Sequence, residues 1–311
     1  MLLAVARSLR DKVAADVNRR SIPEYDMNEA GADHLRQRGI LVMQFMDSLR
    51  NDPRRLNPHS HEFFQICLIQ GRATVMLDFQ EYRTRDAAAF FVSPGQVHFV
   101  RPAEGLQGYT ISFTQAFFDD EAPPPSRLLE LPYFFPDDAQ PFLHIPREDA
   151  SETTTLFRSL CQEYDAALPD AEEMLRATLR LTLLRLARLY IRASPERKAT
   201  RGMTIVRQFH WELEKHFREE TSINAYARLL GITANHLNDV VHEQTGHSAG
   251  ELIRRRRLLD AKRMLSHSQL SVSEIGYALG FEDPSYFARF FRRYEGESPT
   301  VFLERFREKY Q

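Results

Sequence analysis

Cysteine is nearly absent from this chain of 311 residues: Cys67 and Cys161 stand far apart in apolar or helical text. That excludes a disulfide scaffold and predicts two reduced core thiols in a cytoplasmic protein. Long hydrophobic runs are missing too, and no stretch approaches the ~20 apolar residues of a membrane helix. The opening MLLAVARSLRDKVAADV carries Arg7, Arg10 and Lys12 after its short apolar run, the reverse of a secretory signal, and predicts an amphipathic docking helix. Excess charge is the third absence. The net charge is −2, and Lys and Arg nearly balance Asp and Glu over Thr204 to Gln311, which excludes a general polyanion binder. No Ser-His-Asp, Walker or dinucleotide pattern occurs, so neither enzyme nor cofactor is expected.

What is present is a doubled helical hairpin. In SVSEIGYALGFEDPSYFARFFRRYEGESP, from Ser271 to Pro299, Val272, Ile275 and Leu279 form one apolar helical stripe. Gly280-Phe281 breaks that helix. Asp283 then caps a second helix opening with Pro284, where a missing N–H costs nothing. The second helix predicts Phe287, Phe290, Phe291 and Tyr294 inward, with Ser285, Arg289 and Arg292 outward. Ser222 to Ile232, SINAYARLLGI, repeats the first helix: Ile223 answers Val272, Leu230 answers Leu279, and Gly231 answers Gly280. Ala227 answers Gly276, small residues suited to close backbone approach. One residue is added after the turn; then Leu237 answers Phe287, Val240-Val241 answer Phe290-Phe291, and Gly246 answers Gly296. A repeat of a whole hairpin carries far more weight than one copy. Between the copies, Ser248 to His267 predicts a helix of about 16 to 18 residues, ~25 Å long. Such a rod could present two helices to successive major-groove segments, ~34 Å apart.

Residues 204 to 311 resemble the DNA-binding domain of AraC/XylS-type transcription regulators. The resemblance rests on GFEDPSYFARFFRRYEGESPTVF and on ITANHLNDVVHEQTGHSAGELI in the first hairpin. It implies that the second helix of each hairpin enters the major groove. Asn235, Asn238 and Asp239 would read bases from the first copy, and Pro284, Ser285 and Arg289 from the second. Asp239 departs from the family, which usually has Arg or Lys there; it can accept from a cytosine amino group but repels phosphate. Arg254, Lys262, Arg263, Arg292 and Arg293 are the expected phosphate contacts. The alternative for the run Arg254 to Arg257 is a solvated helix face.

The rest of the chain reads as a second domain, giving an α+β class overall: a strand-rich domain with flanking helices, which the resemblance given below makes a cupin-like β-barrel, then the all-α domain. Expected boundaries are 1–195 for the first domain, 196–203 for a charged linker and 204–311 for the DNA-binding domain. Within the first, 1–39 is a polar, helix-prone extension without recognisable chemistry, about 40–115 the barrel, and 149–193 helical. Short strands at about ten-residue spacing indicate a small barrel or sandwich. In HEFFQICLIQ both faces are apolar, so that strand is covered on both sides. The helix from Ala171 to Arg192 carries more apolar surface than one neighbour needs. Leu175, Leu179, Leu183, Leu186 and Tyr190 are its expected dimer face, against the alternative of an intrachain core helix.

NPHSHEFFQICLIQG with FFVSPGQVHF resembles the cupin-type sensor at the front of many AraC-like regulators. His59, His61 and His98 stand where metal cupins place ligands, but Gln65 replaces the carboxylate, so no metal is expected. The resemblance implies instead a small-molecule cavity, with His61, Gln65, Tyr82, His98, Arg101 and Tyr109 as effector contacts. The function implied is a cytoplasmic, homodimeric, effector-controlled activator binding promoter DNA and RNA polymerase, with no membrane partner. Control by a partner protein or by dimerisation alone is the alternative, and a cupin metalloenzyme a remoter one.

Overall fold

The computed structural model describes residues 24–27, 33–119, 128, 131–134, 140–193, 201–268 and 270–310. The amphipathic helix expected at the start, and residues 196–200 of the expected linker, lie outside this set. The chain divides into two compact units, Pro23–Ala199 and one containing Thr200–Gln311.

The first unit is built on two antiparallel sheets. Its strands are β1 (Glu24–Tyr25), β2 (Ile40–Gln44), β3 (Ser60–His61), β4 (Phe64–Gln70), β5 (Ala73–Leu77), β6 (Gln80–Thr84), β7 (Ala87–Val92), β8 (His98–Pro102), β9 (Gln107–Phe113) and β10 (Phe142–His144). One sheet runs β10-β7-β4-β9-β2 and the other β6-β5-β8, while β1 pairs in parallel with β3. Central β4 is buried on both faces, as its unbroken apolar text predicts. Cys67 and Ile69 point into a core shared with Val75, Ala88, Phe90, Val92 and Val100. On the other face Phe64 stacks on Phe113 at 5.8 Å and meets Phe134 edge-on at 4.9 Å.

Short helices α1 (His34–Gln37), α2 (Phe45–Asn51) and α3 (Gln115–Asp119) close gaps, with a 3-10 turn at Pro53–Leu56. Long α4 (Arg147–Ala166) packs on β2 and β9 of the larger sheet, and α5 (Ala171–Ala193) packs on α4 and on α3. The proline-rich stretch expected to be irregular supplies Tyr133, whose hydroxyl donates to the Leu183 carbonyl at 2.9 Å, and the edge strand β10. Both thiols are free and buried, as expected. No helix among the described residues is long and apolar enough to cross a membrane.

The second unit is helical: α6 (Arg201–His216), α7 (Ile223–Leu229), α8 (Ala234–Thr245), α9 (Ala249–His267), α10 (Val272–Ala278), α11 (Pro284–Glu295) and α12 (Pro299–Tyr310). Both copies of the hairpin have helices of 7 and 12 residues. Gly231 and Gly280 close their turns at φ of +65° and +80°, a conformation costly for any residue with a Cβ. A Cβ on Gly276 would lie 3.1 Å from that of Phe287, which explains the small residue there. Leu237 and Phe287 are fully buried at matching positions. Tyr294 departs from the expectation, being 39% exposed at the last turn of α11. The connecting helix is also longer than expected: 19 residues, capped by the Ser248 side chain and spanning ~28 Å. Its unit begins by Arg201, three residues before Thr204.

Candidate nucleic-acid interface and effector pocket

Helix α11 presents Ser285, Arg289 and Arg292 to solvent, spaced at i, i+4 and i+7. Asp283 caps it by accepting from the Ser285 N–H at 2.8 Å, and Pro284 sits half-buried in the first turn. Tyr286 is exposed beside Arg289, 5.9 Å from its guanidinium, a contact the sequence reading missed. Helix α8 presents Asn235, Asp239 and His242 at the corresponding positions, with His236 also exposed. Asn238 is different. It is half-buried, and its side-chain oxygen accepts from the Ala249 N–H at 3.2 Å, tying α8 to the start of α9.

The arginine run of α9 is split: Arg255 is exposed and pairs with Glu251 at 2.8 Å, while Arg254 is half-buried and Arg256 and Arg257 are buried. Arg256 is buried, its Nε donating to both Glu214 oxygens at 2.7 and 2.8 Å, its guanidinium 3.8 Å from the Phe217 ring centre. Asp260, buried beside it, receives Arg218 at 2.9 Å. Burial alone would raise the Asp260 carboxyl, but Arg218 and Arg256 outweigh it and hold it below the ordinary value. Arg257 turns to the other hairpin, donating to the Leu279 carbonyl at 2.8 Å with the Phe281 ring 4.3 Å away. Of the expected phosphate contacts, Lys262 pairs with Glu295 at 2.9 Å and Arg263 is buried; Arg254 is half-buried against the Tyr294 ring, 5.5 Å away. Only Arg292 and Arg293 of that set stand fully outward. The long helix therefore braces both hairpins with its cations.

In the first unit a cavity of about 30 Å³ opens between the sheets, room for about two waters. His61, Gln65 and His98 line it as expected. His59 joins them, buried, with ring centres 4.2 Å from His98 to His59 and 4.8 Å from His98 to His61. The side chains are set by backbone contacts. Their Nδ1 atoms lie 2.9, 2.8 and 3.0 Å from the carbonyl oxygens of Asn57, Phe63 and Gln96 for His59, His61 and His98. Asp78 pins the turn ahead of His98, accepting from Gln96 Nε2 at 3.1 Å and from the Val97 N–H at 3.3 Å. Burial lowers His59 to about 4 and, together with neighbouring His59, lowers His61 to about 3. The Gln65 amide opposes the His61 shift but closes no hydrogen bond to Nε2. His98 is held well below its ordinary value for the same reasons.

Three expected contacts stand elsewhere. Tyr109 pairs across from Leu68, not Cys67, so it lies on the outer face near Phe157; Thr110 takes the inner place. Arg101 is exposed over Phe99, and Tyr82 stacks on Phe142 at 5.1 Å. The wall the sequence reading missed is Tyr25, Arg55 and Thr110. Tyr25 came from the extension read as without chemistry. Only the alternation of β9 could have pointed to Thr110. Among the described residues no group of three His, Cys, Asp or Glu is arranged to hold a metal ion. The expected dimer face is corrected as well: Leu175, Leu179, Leu183, Leu186 and Tyr190 are buried within their own chain. They form the core side of α5.

A sensor-type sheet domain and two matched hairpins on one rigid helix define a DNA-binding transcription regulator with a ligand-binding domain, not an enzyme. Residues 48–184 match the AraC-like ligand binding domain and residues 226–305 a helix-turn-helix domain. The HTH-type transcriptional activator RhaS of Enterobacter sp. strain 638 is 25% identical over 245 residues, 78% of this chain and 85% of that protein. RhaS of Escherichia coli O139:H28 is 36% identical over 87 residues, 28% of this chain and 31% of that protein. Among solved structures, the DNA-binding domain of AdpA in complex with a target DNA covers 34% of this chain and 95% of its own, at 25% identity and TM-score 0.32. The two matched stretches, a ligand-binding domain followed by a helix-turn-helix domain, are similar to those of AraC-type regulators.

Proposed function

We propose that this regulator is a cytoplasmic, homodimeric activator that binds a promoter through α8 and α11, contacts RNA polymerase, and responds to a small molecule held in the sheet domain. The observation that carries the DNA reading is the pairing of exposed helices on one braced rod, each with a polar outer face and a buried apolar one. Asn235, Asp239, Ser285 and Arg289 are the base readers, Pro284 starts the second reading helix, and Arg292 and Arg293 hold phosphates. Asn238 serves mainly as a brace. The activator role is taken from the relatives' description. Selection of DNA from a random pool by the full-length protein, with and without metabolites, tests both halves. Absence of any enriched sequence would refute the DNA reading; enrichment unaffected by any metabolite favours control by a protein partner or by dimerisation.

Dimerisation has its own support. A second stripe on α5, opposite the buried one, is exposed: Met174, Ala177, Leu181, Leu184, Arg188 and Ile191. These alternate at three and four residues, the spacing of a coiled-coil seam. Two copies run antiparallel would match Leu181 with Leu184, Met174 with Ile191, and small Ala177 with long Arg188. Leu184→Asp places a charge at the seam centre and is expected to give a monomer by sedimentation with the fold intact. A dimer of unchanged strength would remove α5 from the interface.

A further inference from the structure

At 59% exposed, Tyr286 is bared more than any other large hydrophobic side chain among the described residues. It stands in the first turn of α11, between Ser285 and the base-facing Arg289. Its ring nonetheless has a firm seat. Phe281 lies beside it with ring centres 5.9 Å apart, and Phe281 is buried against Phe287 and Phe290 at 5.3 and 5.1 Å. From α9, the Arg257 guanidinium lies 4.3 Å from the Phe281 ring centre while donating to the Leu279 carbonyl. The seat is thus tied to the long helix. Tyr286 in turn meets the Arg289 guanidinium, 5.9 Å from its ring centre, and Arg289 has no carboxylate partner among the described residues.

The first hairpin has none of these three residues. Ile232 stands where Phe281 does, His236 where Tyr286 does, and Asp239 where Arg289 does. Within one duplicated chain, the aromatic pair accompanies the arginine. Resting on the base-reading role given to Arg289 above, we propose that Tyr286 is a positioning residue, whose ring holds the Arg289 guanidinium edge-outward for a bidentate contact with guanine. Stacking uses the flat face of a guanidinium, while guanine O6 and N7 are met by N–H groups on its edge, so the two contacts are compatible. An arginine on a bare helix surface gives up its rotamer freedom when it docks on a base; one already held against a ring gives up less. The approach of DNA also strips water from the pair and strengthens its attraction.

The test uses the full-length protein and the duplex that selection from a random pool enriches. The base pair whose preference Arg289→Ala relaxes is replaced by each alternative pair, and the affinities are compared in competition. Tyr286→Ala should lower discrimination at that one base pair about fivefold, and Tyr286→Phe, which keeps the ring, should stay within about twofold of wild type. The exposure of Tyr286 leaves both variants free to fold. In the Arg289→Ala background, Tyr286→Ala should cost no further discrimination there. A merely structural role would weaken all the duplexes alike with the preference intact, and that result overturns the proposal. Equal loss in Tyr286→Phe and Tyr286→Ala moves the role to the hydroxyl, and relaxation at a different base pair makes Tyr286 a reader in its own right; either overturns it too while leaving Arg289 on its base. Failure of Arg289→Ala to relax any pair, or no enriched duplex at all, removes the base-reading role itself and the proposal with it.

Discussion

The helical unit and the cavity of the sheet unit bury polar groups in opposite ways. The helical unit keeps its interior charges and pairs them: Arg256 with Glu214, Arg218 with Asp260, Lys262 with Glu295. The sheet unit buries three imidazoles close together and strips them of charge, to about 4 at His59 and about 3 at His61. A buried ion survives where a partner repays its desolvation, and is discarded where none does. Bracing needs permanent charge, and a pocket needs neutral groups with unused hydrogen-bonding capacity. A smaller version of the contrast separates the reading helices. The outer face of α11 is cationic through Arg289 and Arg292, while that of α8 has Asn235, Asp239 and His242 and neither Lys nor Arg. Matching folds thus carry unlike outer faces, and on the proposed DNA reading phosphate affinity should come chiefly from the second hairpin.

The strongest way to break the first contrast is Asp260→Ala, which leaves Arg218 and Arg256 without their buried carboxylate. It should cost ~3–5 kcal/mol in chemical denaturation of the helical unit; a loss under ~1 kcal/mol would mean the brace is not structural. Acidification comes next. The histidines have folded pKa values below 6.5, so below that pH the unfolded chain binds more protons and stability falls. The fall continues down to about 4 for His59 and about 3 for His61, at no more than ~1.4 kcal/mol per pH unit for each histidine. Asp260 acts in the opposite range: its folded value lies below 3.8, so its contribution holds above that pH and is lost beneath it. Hydrogen exchange on the whole chain, corrected for intrinsic rates, should therefore show residues 33–119 weakening between pH 7 and 5 while residues 201–268 keep their protection. Equal weakening of both would contradict the contrast.

At the reading helices, Arg289→Ala should cost ~1–3 kcal/mol of DNA affinity and relax the preference at one base pair, seen by repeating the selection with the variant. Unchanged preference would take Arg289 off the bases. Asp239→Arg should give the smallest effect: tighter binding to all sequences and a salt dependence steeper by about one unit. An unaltered salt slope would place α8 away from the backbone.

How much of this was legible in the text depended on the range of the interaction. The hairpins could be read residue by residue because their signals are local: Asp283 as cap, Gly231 and Gly280 as turns, the apolar stripe of Val272, Ile275 and Leu279. Misreadings fell where a side chain's partner is distant in sequence. Lys262 and Arg263 look like surface cations until α11 and the rest of the bundle close over α9. Leu175 and Leu181 are equally apolar, and only the packing of α5 on the sheet domain decides which stripe is left outside. Tyr109 and Thr110 are adjacent, and one step of strand register chooses between them.

Periodicity, caps and the repeat determined from sequence alone that this chain builds paired helical hairpins behind a strand-rich domain, since those features act within a few residues. The tertiary structure alone decided which charges are sunk and which face outward, which leucine stripe stays exposed, and that Tyr25, Arg55 and Thr110 meet three histidines around one cavity. Those outcomes depend on burial, a property of whole surfaces meeting, and no short stretch of text carries it.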